Sequence, residues 1–132
     1  LKIDNSAMLN SFAIAAFEAA YNEGEQWLDD LLEYLEENVQ FLTSFIEEEI
    51  PEVNVIPPEG TYLIWLDFRK LGMNAKELET FLLNEAKVAL NQGYIFGETG
   101  EGFVRINIAC PRKTLEEGLL RIKQAVASLK NT

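Results

Sequence analysis

The segment FVRINIACPR, residues 103–112, constrains the fold more than any other part of the chain. Successive side chains of a β-strand point to opposite faces of a sheet. One face of this strand is entirely apolar and is formed by Val104, Ile106, Ile108 and Cys110. The opposite face places Arg105 and Asn107 two residues apart on a stiff element. The pattern therefore predicts a sheet with one buried face, and an opposite face that is either solvated or one wall of an anion site.

The remaining hydrophobic periodicity predicts an α+β fold in which a small mixed sheet is covered by helices on one side. The expected order is helix, helix, strand, strand, helix, strand, strand, helix. Helices are predicted at residues 5–22, 25–50 and 74–87 and at the end of the chain. The other strands are predicted at residues 53–56, 61–68 and 88–90. The near-continuous apolar run at 61–68 is typical of a central strand.

Two helices carry apolar side chains at helical spacing and are expected to bury them. In the second helix these are Leu28, Leu31, Leu32, Leu35, Val39, Leu42 and Ile46. In the closing helix they are Leu115, Leu119, Ile122, Val126 and Leu129. Asn74 with Glu77, and Thr114 with Glu117, have the spacing of capping boxes and are predicted to begin two helices.

The segment from residue 5 to residue 22 contains a single charged side chain, Glu18. Its composition favours a helix capped by Asn5 or Ser6, apolar on nearly every side, and such helices are normally buried all round. The segment is too short and too interrupted by polar residues to cross a bilayer. We therefore expect residues 1–24 to pack on another domain or subunit, and residues 25–132 to form a domain of their own. The isolated chain is expected to self-associate through helix 5–22.

Composition excludes several classes of function. The formal net charge of −11 argues against nucleic acid as a partner. The chain has no histidine, which removes Ser-His-Asp and Cys-His catalysis and the usual zinc sites; no metal is expected. The single cysteine, Cys110, is expected to be a buried structural thiol, and one cysteine fits a reducing, cytoplasmic compartment.

The loop GETGEG, residues 97–102, has the glycine content of a phosphate-binding loop. Two glutamates within it would repel a phosphate, and a strand follows it, whereas the dinucleotide fingerprint requires a helix there. A turn or lid is the preferred interpretation.

Long collinear stretches of the chain resemble the cystathionine β-lyase group of MalY and PatB, within the pyridoxal-phosphate enzymes of aminotransferase fold type I. They are AAYNEGEQWLDDLLEYLEEN (19–38), PEGTYLIWLDFRKL (58–71), LNEAKVALNQGYIFGETGEGFVRINIACPR (83–112) and the closing helix. The sequence differs at Gln92, where the group usually has proline. The resemblance implies the architecture of the small C-terminal domain of these enzymes.

The resemblance also implies functions for particular residues. Arg105 would bind the α-carboxylate of an amino-acid substrate, and the loop with Tyr94, Phe96 and Gly97 would lie near the active-site mouth. The intact enzyme would use pyridoxal 5′-phosphate to release a thiol, pyruvate and ammonia, and would be a homodimer. The Schiff-base lysine of the family belongs to a large N-terminal domain and has no counterpart here. The chain alone is therefore expected to bind no cofactor and to be inactive.

Two alternatives remain open. A true aminotransferase shares the same scaffold and the same arginine. From a different class, the chain could be an interaction module that docks through helix 5–22.

Overall fold

A computed structural model of the chain describes residues 10–130. The helices are α1 (Ser11–Glu23), α2 (Glu25–Glu49), α3 (Ala75–Asn84) and α4 (Arg112–Leu129). The strands are β1 (Asn54–Ile56), β2 (Leu63–Asp67), β3 (Asn91–Gln92) and β4 (Phe103–Asn107). This order of helices and strands confirms the prediction. The chain divides into two compact units between Tyr34 and Leu35.

The second unit contains a four-stranded sheet in the order β1-β2-β4-β3. Every pair of neighbouring strands within the described residues is antiparallel. The predicted α+β class is thus confirmed, but the expectation of a mixed sheet is wrong. β2 is a central strand, as its apolar run predicts, because it pairs with both β1 and β4.

Helices cover one face of this sheet. The buried strand residues Ile64, Leu66, Val104 and Ile106 form one core cluster with buried residues of α2, α3 and α4. The helical members include Leu42, Ile46, Leu78, Phe81, Leu82, Leu115, Leu119 and Ile122. Alternate residues of β4 are only partly buried or exposed, which confirms the predicted division of that strand into a core face and an open face.

The predicted apolar stripes are confirmed only in part. In α2, Leu28 and Leu32 are 49% and 54% exposed, so the buried stripe begins further along the helix than predicted. In α4, Leu129 is 40% exposed because it lies at the last residue of the helix. Asn74 forms the predicted capping box with Glu77.

Two other local predictions are wrong. Residues 88–90 form no strand, because the chain turns back onto the end of α3. Lys87 adopts a left-handed conformation with φ of 54°, and the Val88 N–H donates to the Leu82 carbonyl oxygen at 2.9 Å. Thr114 does not cap α4, since the helix already begins after Pro111, whose ring fixes φ near the helical value.

A buried amide joins α2 to the segment between β4 and α4. Asn38 is fully buried, and its Nδ2 donates to the carbonyl oxygens of Ile108 at 2.9 Å and Cys110 at 3.2 Å. Its Oδ1 accepts a hydrogen bond from Arg112 Nε at 2.6 Å. The Arg112 guanidinium also lies over the Phe41 ring, 4.6 Å from its centroid. These contacts fix the chain immediately after the strand that carries Arg105.

Cys110 lies beyond the end of β4 and is only partly buried, packed against the core. Burial raises the pKa of its thiol, which disfavours the nucleophilic thiolate. The thiol is therefore structural, although less buried than predicted.

The first unit exposes many apolar side chains. None of the residues of α1 is buried, and Phe12, Phe17 and Tyr21 are 88%, 64% and 79% exposed. The N-cap of α1 is Asn10, whose side chain accepts a hydrogen bond from the Ala13 N–H at 2.8 Å. The cap predicted at Asn5 or Ser6 lies outside the described residues. Within residues 10–130, no helix is both long enough and apolar enough to span a membrane.

Candidate functional site

Arg105 lies in the middle of the open face of the sheet. It is directly opposite Trp65 of β2 on one side and Asn91 of β3 on the other. Paired residues on neighbouring strands carry their side chains on the same face, so these three side chains are neighbours. Two flanking strands therefore hold the backbone of Arg105 in place.

The Arg105 side chain has few contacts of its own. Its guanidinium lies over the ring of Phe96, with the central carbon 4.4 Å from the ring centroid. Nη2 donates to Asn91 Oδ1 across a long 3.4 Å. Nε is buried and has no hydrogen-bond partner among the described residues. In the part of the chain that the structure describes, the positive charge of Arg105 is thus held in place without an ion-paired carboxylate to neutralise it.

The other three arginines are paired. Arg69 donates through Nε and Nη2 to the two carboxylate oxygens of Asp67, at 2.9 and 2.8 Å, and this pair lowers the pKa of Asp67. Arg112 binds the Asn38 amide and lies 3.9 Å from Glu37, and Arg121 pairs with Glu117. Within residues 10–130, Arg105 is the only arginine without an ion pair. It is therefore the arginine whose charge is free to bind an anion.

Two open clefts lie on this face; Arg105 lines the first, and Phe96, which contacts Arg105, lines the second. The first has a volume of about 410 Å³ and is lined by Arg105 and by Ile56, Pro57, Pro58, Glu59, Gly60, Thr61, Leu63 and Trp65. The second has a volume of about 340 Å³, shares Ile56 and Trp65 with the first, and adds Phe96 and Phe103. The first cleft therefore combines a guanidinium with mostly apolar walls, to which Glu59 adds one acid. Such a lining suits a small ligand with an anionic group and an apolar body.

The glycine-rich loop contributes Phe96 and Thr99 to the lining of the second cleft. Of the three loop residues singled out from sequence, Phe96 contacts Arg105, while neither Tyr94 nor Gly97 lines the two clefts. The loop forms two short 3₁₀ turns, Gly93–Phe96 and Glu98–Gly100. Whether it acts as a lid stays a prediction.

Sequence reasoning missed Trp65 and Asn91. The alternation of side chains within a strand indicates which face each of them occupies. Their proximity to Arg105 depends on how the strands pair, and a single sequence does not specify that register. A metal site is not supported, since the described residues contain no cluster of three or more acidic, cysteine or histidine ligands.

The second unit is thus a small α+β domain, in which helices cover one face of an antiparallel sheet and an arginine without an ion pair lies on the other face. The family model for aminotransferases of class I and II matches residues 2–122, and the chain belongs to this family.

Two of its relatives are the cystathionine β-lyase PatB and the protein MalY. The chain is 44% identical over 119 residues to the cystathionine β-lyase PatB of Bacillus subtilis. This alignment covers 90% of this chain and 31% of PatB. It is 40% identical over 118 residues to the protein MalY of Escherichia coli, covering 89% of this chain and 30% of MalY.

The structure of cystalysin from Treponema denticola, which contains pyridoxal 5′-phosphate, superposes with a TM-score of 0.89 at 37% identity. The superposition covers 92% of this chain and 31% of cystalysin. The chain thus spans about a third of the length of the relatives it matches.

The described residues do not fit the cofactor on their own. Pyridoxal phosphate is held in enzymes by a Schiff-base lysine, with an acidic or basic partner for its ring nitrogen. The lysines in the described part of the chain are Lys70, Lys76, Lys87, Lys113, Lys123 and Lys130, and none of them lines either cleft. What the first cleft does offer is the guanidinium of Arg105, which suits a carboxylate.

Proposed function

We propose that the chain is the part of a pyridoxal-phosphate-dependent C–S β-lyase that binds the substrate carboxylate. The observation that carries this proposal is the guanidinium of Arg105, which is fixed on the open sheet face without an ion pair. The names of two relatives, the cystathionine β-lyases of Bacillus subtilis and Corynebacterium glutamicum, support a lyase over other reactions of the family. The cofactor and its lysine would be supplied by the part of the enzyme that this chain does not span.

The chemistry proposed for this chain is recognition. A guanidinium donates parallel hydrogen bonds to both oxygens of a carboxylate, which sets the orientation of an amino acid as well as its affinity. The apolar walls formed by Ile56, Trp65 and Phe96 would exclude water around that contact and strengthen it. Orientation of the α-carboxylate fixes which bond at the α-carbon faces the reactive group of the enzyme.

The remaining parts of the proposal concern assembly. Residues 1–24 would pack on the large domain of the intact enzyme, and residues 25–132 would form the small domain that closes over the substrate. The loop with Tyr94, Phe96 and Gly97 would take part in that closure. The intact enzyme would be a cytoplasmic homodimer. The exposed aromatic side chains of α1 support a covered position for this helix.

A chimera tests the proposal directly. Residues 2–122 of this chain would replace the matching segment of PatB, which supplies the rest of the enzyme. We expect the chimera to release pyruvate from L-cystathionine, and the 132-residue chain alone to release none. An inactive chimera that melts cooperatively and binds the cofactor would contradict the proposal.

Arg105 variants of the chimera test the residue itself. Two charge-assisted hydrogen bonds contribute roughly 3–5 kcal/mol, so Arg105→Ala should lower kcat/KM by about 10²–10⁴-fold. Arg105→Lys keeps the charge but loses the planar fork, and should recover only part of the activity. Arg121→Lys is the matched control, because Arg121 forms an exposed pair with Glu117 on α4.

The aminotransferase alternative is separated by product analysis of the same chimera and of the intact enzyme. Transfer of the amino group to a 2-oxo acid without pyruvate release from L-cystathionine would favour a transaminase.

The interaction-module alternative is favoured by one observation, the exposure of Phe12, Phe17 and Tyr21 on α1. Deletion of residues 1–24 discriminates, since a module would lose its partner, whereas an enzyme domain would only become more soluble.

A further inference from the structure

The orientation of the Arg105 guanidinium needs an explanation, because no carboxylate within the described residues holds it. Its two contacts are the ring of Phe96 and the long hydrogen bond to Asn91. We propose that Phe96 is a positioning residue, which holds the Arg105 guanidinium in the orientation that binds a substrate carboxylate. The inference rests on the proposed function of Arg105 and assigns the means by which that arginine is kept ready.

The kind of contact matters for this role. An aromatic ring attracts a guanidinium through its face, and this attraction uses none of the N–H donors. Arg69 also lies over a ring, that of Phe103, with its central carbon 4.6 Å from the centroid. It differs in that Asp67 occupies its Nε and Nη2 with both carboxylate oxygens. A carboxylate beside Arg105 would compete with the ligand, whereas the ring of Phe96 leaves the terminal nitrogens available.

Phe96 is itself held by the loop and by the sheet. Its ring meets that of Trp65 edge to face, with the centroids 5.5 Å apart and an interplanar angle of 84°. Edge-to-face contact is a preferred arrangement of two aromatic rings. Trp65 is the strand neighbour of Arg105, so both partners of Phe96 come from the same part of the sheet.

Two glycines close the base of the loop around Phe96. A Cβ atom on Gly93 would lie 2.2 Å from the Gly100 carbonyl oxygen, and one on Gly100 would lie 2.1 Å from the Gly93 carbonyl oxygen. The backbones of these residues are therefore in direct contact, at a distance that only glycine permits. Hydrogen bonds from Gly97 N to Tyr94 O and from Gly100 N to Gly97 O connect the turns between them.

One acid of the loop is engaged by the start of α3. Glu101 Oε1 accepts a hydrogen bond from the Ala75 N–H at the start of α3. Phe96 is 52% exposed, so its side chain contributes little to the core. Its position is thus better explained by the arginine it contacts than by the stability of the fold.

The test uses the ¹⁵N-labelled 132-residue chain and its variants Phe96→Leu, Phe96→Tyr and Ile95→Ala. Ile95 is the matched control, since it is 58% exposed in the same loop. The first measurement is the chemical shift of the Arg105 Nε–H, which the Phe96 ring current should displace. We expect Phe96→Leu to abolish that displacement, and Phe96→Tyr and Ile95→Ala to keep it.

The second measurement is titration with sodium acetate at constant ionic strength. The loss of a cation–π contact should weaken acetate binding about three- to tenfold in Phe96→Leu, with tyrosine restoring it. Thermal melts of all variants should agree within a few degrees, because the substituted side chains are exposed.

The outcomes separate the two proposals. If acetate binding is lost in Arg105→Ala but unchanged in Phe96→Leu, the positioning role is wrong and the carboxylate site stands. If the chain binds no acetate, or if Arg105→Ala binds it as well as the unsubstituted chain, the carboxylate site fails and the inference fails with it.

Discussion

Replacing Asn38 with alanine should remove a large part of the stability of the second unit. The Asn38 side chain is fully buried and makes three hydrogen bonds, two to main-chain carbonyl oxygens and one with Arg112. A buried neutral hydrogen bond contributes about 1 kcal/mol, and one to a charged group about 1.5–3 kcal/mol. The substitution would also leave the carbonyl groups of Ile108 and Cys110 without this donor.

The expected loss is therefore about 3–5 kcal/mol. The higher helix propensity of alanine offsets roughly 0.6 kcal/mol of it. A domain of this size has a free energy of unfolding of about 5–15 kcal/mol, so the variant should be folded but strongly destabilised.

Urea denaturation followed by circular dichroism measures this free energy for Asn38→Ala and for Gln40→Ala. Gln40 is on the same helix and makes an exposed hydrogen bond to Glu36, so its replacement should cost less than about 0.5 kcal/mol. If the two variants differ by less than about 1 kcal/mol, the reasoning from the buried amide is refuted.

Two further predictions concern pH and association. The pKa of Asp67 is lowered in the folded state by its pair with Arg69. The stability that this carboxylate contributes is therefore present above its ordinary pKa of 3.8, and it is lost as the pH falls through the lowered pKa of the folded state. The stability difference between the unsubstituted chain and Asp67→Asn, measured as urea midpoints from about pH 6 to pH 2, should shrink below about pH 4; a difference that is constant with pH would contradict this. The double variant Phe12→Lys/Phe17→Lys should reduce self-association in light scattering without lowering the melting temperature, because both side chains are exposed. A strictly monomeric unsubstituted chain at high concentration would show that α1 does not drive association.

The parts of the fold that were predicted from sequence are those set by periodicity and local chemistry. The alternation in residues 103–107 specified both faces of β4, and Asn74 with Glu77 specified the start of α3. Such signals lie within a few residues of one another and need no knowledge of the rest of the chain.

Two of the errors arose where a nearby residue changed the backbone. The left-handed conformation of Lys87 returns the chain to α3 and removes the strand predicted at 88–90. Pro111 begins α4 before Thr114 can cap it. In both places a single main-chain conformation overrode a reasonable side-chain pattern.

The site shows the same division. The alternation placed Arg105 on the open face, and the family resemblance supplied its proposed ligand. The contact between Arg105 and Phe96 depends on a loop closed by Gly93 and Gly100. The proximity of Arg105 to Trp65 depends on the register of β2 and β4. No periodic pattern in the sequence indicates either contact, so neither could be predicted without the three-dimensional structure.

The sheet separates the residues that fold the unit from those that would bind a ligand. The core cluster draws its strand residues from the helix-covered face, whereas Ile56, Trp65 and Phe96 line the clefts on the other face and remain partly exposed. Substitutions on the open face should therefore change the size and polarity of the clefts at little cost to folding. A few substitutions on this one surface can therefore reshape the clefts, while Arg105, the proposed carboxylate-binding residue, stays unchanged at its centre.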